Sequence, residues 1–179
     1  MPPYDPAQAR ELLRAAGYTG ERIAYRVRKD YYTAEIATAQ VVAEMWHAVG
    51  INADIELKEN WTEVLDHAGP RGSRDWSNSA VFDDPVSSIV NQHGPDGAQQ
   101  TNGEWTNAEM NDLSRAMEAS TDMPARQKMF ARMLAICERE DPAYIVLHQN
   151  ATFTAKQKAL PWRAPPSFYL DFSSRNWGA

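Results

Sequence analysis

Residues 33 to 58 constrain the fold of this chain more than any other stretch. Thr33 to Val49 carries Ile36, Ala39, Ala43 and Trp46 at the spacing of one helical face, and Gly50 offers the left-handed stop that ends a helix. Directly after it, Ile51, Ala53, Ile55 and Leu57 alternate with Asn52, Asp54, Glu56 and Lys58, the period of a half-buried strand. Ile23, Tyr25 and Val27 alternate in the same way ahead of the helix. A strand, a helix and a strand in that order close into a parallel pair with a right-handed crossover. The predicted class is α/β: a small, mainly parallel sheet with helices on its faces.

Other segments carry clear local signals. Asp5 before Pro6, with Gln8 following, marks a helix start, and Gly17 its end. Asn60 can cap a short helix holding Val64 and Leu65, and Gly69 to Ser73 reads as a turn. Asp75 to Phe82 is a third candidate strand, though Trp76-Ser77-Asn78-Ser79 is polar for a central one. Gly94 to Gly103, rich in Gly, Gln and Asn, reads as a surface segment. A helical pair follows. Thr106 with Glu109 forms a capping box for Met110, Leu113 and Met117, and Asp122 starts a helix from Pro124 to about Glu140 with Met129, Phe130, Met133, Leu134 and Cys137 inward. Short strands are predicted over Tyr144 to His148 and Thr152 to Ala155, with a terminal one through Phe168, Leu170 and Phe172.

Composition narrows the function classes. The 179 residues suit one sizeable domain, which at this length buries roughly 70% of its unfolded surface. Lysines and arginines number 18 against 24 acids, and the net charge of −6 opposes attraction to phosphate backbones, so no nucleic-acid partner is expected. No apolar run is long enough to span a membrane, and Met1-Pro2-Pro3-Tyr4 is not a secretion leader. Cys137, the only cysteine, reads as a buried small hydrophobe. Four histidines, at 47, 67, 93 and 148, are scattered, so no metal or cofactor is expected. Asp83 and Asp84 are neighbours on one segment and cannot face each other across a scissile bond, and no nucleophile elbow or phosphate loop is present; the chain does not read as an enzyme.

Function is better sought at the junctions. Lys29-Asp30-Tyr31-Tyr32-Thr33, Lys58-Glu59-Asn60-Trp61-Thr62 and Val81-Phe82-Asp83-Asp84-Pro85 each lead from an apolar segment into a helix start, with aromatics beside charges. If the preceding segments are parallel strands, all three junctions lie on the carboxyl edge of one sheet, where open α/β folds place ligands.

The order of several phrases resembles the extracellular solute-binding proteins of bacterial ABC transporters, family 5, of the peptide, dipeptide and nickel type. These phrases are Tyr4-Asp5-Pro6-Ala7-Gln8 through Ala16-Gly17-Tyr18, Asp83-Asp84-Pro85, Trp105-Thr106-Asn107-Ala108-Glu109 and Pro142-Ala143-Tyr144-Ile145-Val146-Leu147-His148. The resemblance covers nearly the whole chain and implies the carboxy-terminal lobe of a two-lobed Venus flytrap, a type II periplasmic-binding-protein fold. It further implies capture of a small solute, periplasmic or extracytoplasmic, and delivery to an ABC permease, with the leader and amino-terminal lobe preceding Tyr4. Residues 1–160 would form the lobe and 161–179 a tail returning toward the other lobe, whose Trp162, Phe168, Tyr169, Phe172 and Trp177 would then lack covering and favour self-association.

By the same resemblance Lys29 stands where dipeptide binders carry a carboxylate-pairing arginine, with Arg28 able to assist; the alternative is a solvated strand-end lysine. Trp61 matches a junction aromatic that covers part of a solute, or else packs in the core, and Tyr31 of the first junction is a further candidate contact. Val81 occupies the place of the aspartate that pairs with a peptide's amine, which favours an anionic solute without such an amine. Phe82 and Asp83 follow it; Asp83 is either a ligand contact or exposed, and Asp84 caps the next helix. Trp76, Asn78 and Ser79 could line the pocket. The competing function is a non-catalytic protein-interaction module that uses the strand-end aromatics.

Overall fold

A computed structural model describes residues 3–68, 72–78, 80, 82–149, 151, 153–165 and 170–178. Residues up to Ser77 form one unit and residues from Asn78 onward another.

The first unit is built on the predicted strand, helix and strand. Helix α1 (Pro6–Ala15) starts where Asp5 accepts the Gln8 N–H at 2.9 Å, and Gly17 turns the chain out of it at φ 72°. Strands β1 (Ile23–Arg28) and β2 (Ala53–Lys58) run parallel, with Ile23 opposite Ala53 through to Arg28 opposite Lys58. Helix α2 (Glu35–Val49) joins them and stops at Gly50, φ 100°. It begins two residues later than predicted because Ala34 adopts a left-handed backbone. Ala39 and Ala43 are buried, and their small side chains let the helix close on the sheet. Tyr25, Val27 and Ala39 form the core, with Val42, Trp46 and Ile55 around them.

The third strand is displaced from its predicted place. Strand β3 (Ser73–Arg74) pairs parallel with β1 on the side away from β2, giving the order β2-β1-β3. Pairing continues only as far as the Asp75 N–H, which donates to Arg26 O at 3.2 Å. Beyond it, the described residues between 75 and 82 form no strand. The reason is chemical: Asp75 turns its carboxylate inward to tyrosine hydroxyls, and the polar run after it has no apolar face to lay on a sheet. A Cβ at Gly72 would lie 1.8 Å from Ala24 O, so glycine admits β3 to this edge. Helix α3 (Trp61–Val64) starts at Asn60, which accepts the Glu63 N–H at 3.0 Å as predicted.

The second unit is mainly helical. A 3₁₀ turn (Pro85–Ser87) capped by Asp84 leads into α4 (Ile89–His93), α5 (Ala98–Thr101), α6 (Ala108–Glu118) and α7 (Met123–Ala135), which widens into a π-helical turn over Ile136–Glu140. Ile89, Val90, Met110, Met117, Met133 and Cys137 are its core, so the predicted helical pair packs by the predicted stripes. Asp122 caps α7. The cap of α6 is Asn107 rather than Thr106: Glu109, needed for a capping box, is held by Arg132, while Thr106 donates to Gln100. Residues 94–103 reach the surface at Asp96, Thr101 and Gly103 but are not without secondary structure. They contain α5, and Gln100 ties it to Gly94 O at 3.0 Å and to Asn111.

Nor do the later strands form among the described residues: 144–148, 153–155, Leu170 and Phe172 lie in no strand, because alternation alone supplies no neighbouring strand for the backbone. Thr152, Phe168 and Tyr169 lie outside the described residues. An antiparallel bridge joins Trp162 to Trp177. Trp162 is covered, with its indole donating to Asp171 O at 2.8 Å and packed 5.1 Å from Phe172, whereas Phe172 and Trp177 are exposed. No described helix is long and apolar enough to cross a membrane.

Candidate functional site

Because the strands are parallel, β1, β2 and β3 end on one edge of the sheet, and the chain leaves that edge at 29–34, 59–60 and 75–77. Aromatic side chains from the three exits meet there. Tyr31 lies 5.9 Å from Tyr32 and 4.6 Å from Trp61, and Trp61 lies 4.9 Å from Trp76, all edge to face. Two cations flank this ladder: Arg28 Cζ is 5.5 Å from the Trp61 ring and Arg74 Cζ 4.7 Å from the Trp76 ring. Trp76 is 36% exposed, and Tyr31 and Trp61 are half-buried. Such an edge offers flat apolar faces for stacking and guanidinium charge for an anionic group.

A polar layer fixes the ladder from beneath. Tyr31 and Ser77 share a hydroxyl hydrogen bond at 2.6 Å, and the Ser77 N–H donates to the same phenol oxygen at 3.3 Å. Asp75 accepts from the hydroxyls of Tyr25 and, at 2.8 Å, Tyr32. Burial, then the neighbouring Asp75, pushes both phenols well above the ordinary tyrosine range, so they remain donors. Glu35 accepts the Tyr31 N–H at 2.8 Å. Asp30 and Ala34 bracket this turn with φ of 61° each, a conformation that costs a non-glycine residue about 1 kcal/mol or more.

Of the residues predicted from sequence, Tyr31, Trp61 and Trp76 are brought together. Lys29 is exposed, and its N–H continues the ladder to Lys58 O at 3.0 Å. Asn78, Phe82 and Asp83 are exposed and belong to the second unit; Val81 and Ser79 lie outside the described residues. The third exit is therefore Asp75-Trp76-Ser77 rather than Val81-Phe82-Asp83. Asp84 caps its turn through the Val86 N–H at 2.9 Å and is gripped by Arg126. Asp75, Ser77 and Glu35 went unrecognised in the sequence. Glu35 left one trace, four and eight residues before Ala39 and Ala43 on the stripe that faces the core.

Comparison with known proteins shows the family and the fold. Residues 1–103 match the bacterial extracellular solute-binding proteins, family 5 Middle. Di/tripeptide-binding protein 3 of Pseudomonas aeruginosa (strain UCBPP-PA14) is 28% identical over 155 residues, covering 83% of this chain and 29% of that protein. Di/tripeptide-binding protein 1 of the same strain is 28% identical over 181 residues, covering 93% and 33%. The chain thus spans only 29% to 33% of the length of these relatives. Among solved structures, NikA from Staphylococcus aureus in complex with Ni(L-His)2 superposes with a TM-score of 0.67 at 20% identity, over 76% of this chain and 30% of that one. The periplasmic oligopeptide-binding protein OppAIV from Borrelia burgdorferi gives 0.62 at 20% identity, over 77% and 28%. The fold is that of type II periplasmic binding proteins, and the chain belongs to the bacterial extracellular solute-binding proteins of family 5.

Proposed function

We propose that this chain is the carboxy-terminal lobe of a two-lobed, non-catalytic receptor that captures a solute outside the cytoplasmic membrane and passes it to an ABC permease. In this reading residues 1–160 make the lobe and 161–179 run toward its partner lobe. The observation that carries it is the aromatic ladder with its two guanidinium groups on the carboxyl edge of the parallel sheet. A solute bound there gains contacts from a second lobe only on closure, so it shifts the open form toward the closed one. The isolated lobe binds weakly.

The solute carries a negative group. Arg28 and Arg74 supply charge beside the indoles, with Lys29 adding to the field from the same edge. That it lacks a peptide-style free amine is inferred from the sequence resemblance alone, which sets valine at position 81 where peptide binders carry an aspartate. Native mass spectrometry of the two-lobed protein after mild purification tests this reading. The expected result is a co-purified anionic molecule that is released on denaturation. A free dipeptide or oligopeptide would contradict the amine-lacking assignment, and a captured protein with no small molecule would favour an interaction module.

A further inference from the structure

Behind the aromatic ladder lie two carboxyl groups buried almost completely, Glu35 at 2% and Asp75 at 6% exposure. Among the described residues neither closes an ion pair with a cation. Asp75 is satisfied by two phenol hydroxyls, one from β1 and one from the turn after it. Glu35 spends one oxygen on the Tyr31 N–H, and its Oε1 is buried with no hydrogen-bond partner. An uncompensated buried carboxylate oxygen is costly, and the cost falls when the group takes up a proton.

The bonds of these two groups reach two of the three strand exits, those of β1 and β3. Glu35 opens α2 and ties back to the turn held between the left-handed residues Asp30 and Ala34. Asp75 fastens the end of β3 to Tyr25 of β1 and to Tyr32 of that turn. The two residues after Asp75 are Trp76, whose ring meets Trp61, and Ser77, which bonds the Tyr31 hydroxyl. We propose that Glu35 and Asp75 are positioning residues of the solute edge assigned above: acting through Tyr31, Tyr32 and the Asp75–Ser77 run, they set the seating of Trp61 against Trp76, and protonation of Glu35 alters that seating.

The groups facing Glu35 are Asp75 after β3, Arg28 of β1, and Tyr31 and Tyr32 of the turn. Burial raises its pKa above the ordinary glutamate range; the Tyr31 N–H opposes the shift, the Asp75 charge adds to it, and the Tyr32 N–H and Arg28 oppose it. Glu35 therefore takes up its proton at a higher pH than a free glutamate does.

Two indoles this close couple their electronic transitions, so the Trp61–Trp76 pair gives an exciton couplet in circular dichroism, assigned by its loss in Trp76→Phe. The couplet of the chain is followed between about pH 4 and pH 8, a range that brackets glutamate titration. The expected result is one step in amplitude above the ordinary glutamate range, absent in the uncharged isostere Glu35→Gln. Tyr32→Phe, which removes a single hydroxyl, is expected to weaken the couplet by roughly half at every pH while helical signal is unchanged, and Asp75→Asn to weaken it further. A couplet without a pH step, a step that persists in Glu35→Gln, or an unaltered couplet in Tyr32→Phe would each overturn the proposal. If Asp75→Asn fails to fold, Tyr32→Phe and Glu35→Gln decide. No solute enters the experiment, so a negative result leaves the solute-receptor reading standing, and an intact result survives a failure to find a solute.

Discussion

Glu35 occupies a place on α2 that an alanine or leucine would be expected to fill, and its protonation links stability to pH. Its folded-state pKa is raised by burial, so the native state holds the proton more tightly than the unfolded chain. Below the unfolded value of about 4.3 the residue is neutral in both states and its full contribution is present. As pH rises through the folded-state pKa, that contribution is lost. Urea titrations of the chain are accordingly predicted to show Glu35→Gln more stable than the parent at pH near 8, with the difference vanishing near pH 4. Parallel stability curves for the two proteins would rule this out. The aromatic half of the site was legible in the sequence because Tyr31, Trp61 and Trp76 are large, flat and set next to charges at strand ends. Its carboxylate half was not. Asp75 looks like any acid in a polar loop until the end of β3 is known, and Glu35 looks like the acidic first turn of a solvated helix.

Among the elements, the order and parallel pairing of β1, α2 and β2 could be read directly because Tyr25, Val27 and Ile55 alternate into the core shared with Ala39 of α2, and Gly50 fixes the turn between helix and strand. Strand β3 could not, since its two residues carry no period, and its place is set by the backbone approach that Gly72 permits. Gly72→Ala is predicted to force β3 away from Ala24 O and lower stability by about 1–3 kcal/mol, read as a shifted urea midpoint together with exposure of Trp76. An unchanged midpoint would mean that β3 contributes nothing to the edge. In the second unit, Asp122→Ala removes the acceptor of the Ala125 N–H and is predicted to cost about 1 kcal/mol. The strands predicted beyond Tyr144 failed for a different reason: a strand exists only with a neighbour, and among the described residues the sequence there brings none. The cap of α6 shows the same dependence on tertiary context, because Arg132 claims the glutamate that a Thr106 capping box requires.

For the whole molecule, the chain belongs to the family 5 solute-binding proteins and covers 29% of the length of one relative and 33% of another, and its aromatic ladder lies on the carboxyl edge of the parallel sheet, where we propose that the solute sits. The described residues of the predicted third junction, Phe82 to Pro85, belong instead to the second unit, so the candidate surface narrows to Tyr31, Trp61 and Trp76 with Arg28 and Arg74. Truncating an aromatic anchor at a binding surface costs about 2 kcal/mol or more, while an exposed long-range charge costs far less. The ranking is therefore Trp61→Ala and Trp76→Ala ahead of Lys29→Ala. The most direct measurement is calorimetric titration of the two-lobed protein with the solute recovered from it, repeated on Trp61→Ala and Trp76→Ala. The account predicts that each indole truncation weakens affinity by at least about tenfold with the fold retained; affinities equal to the parent's in both variants would contradict it.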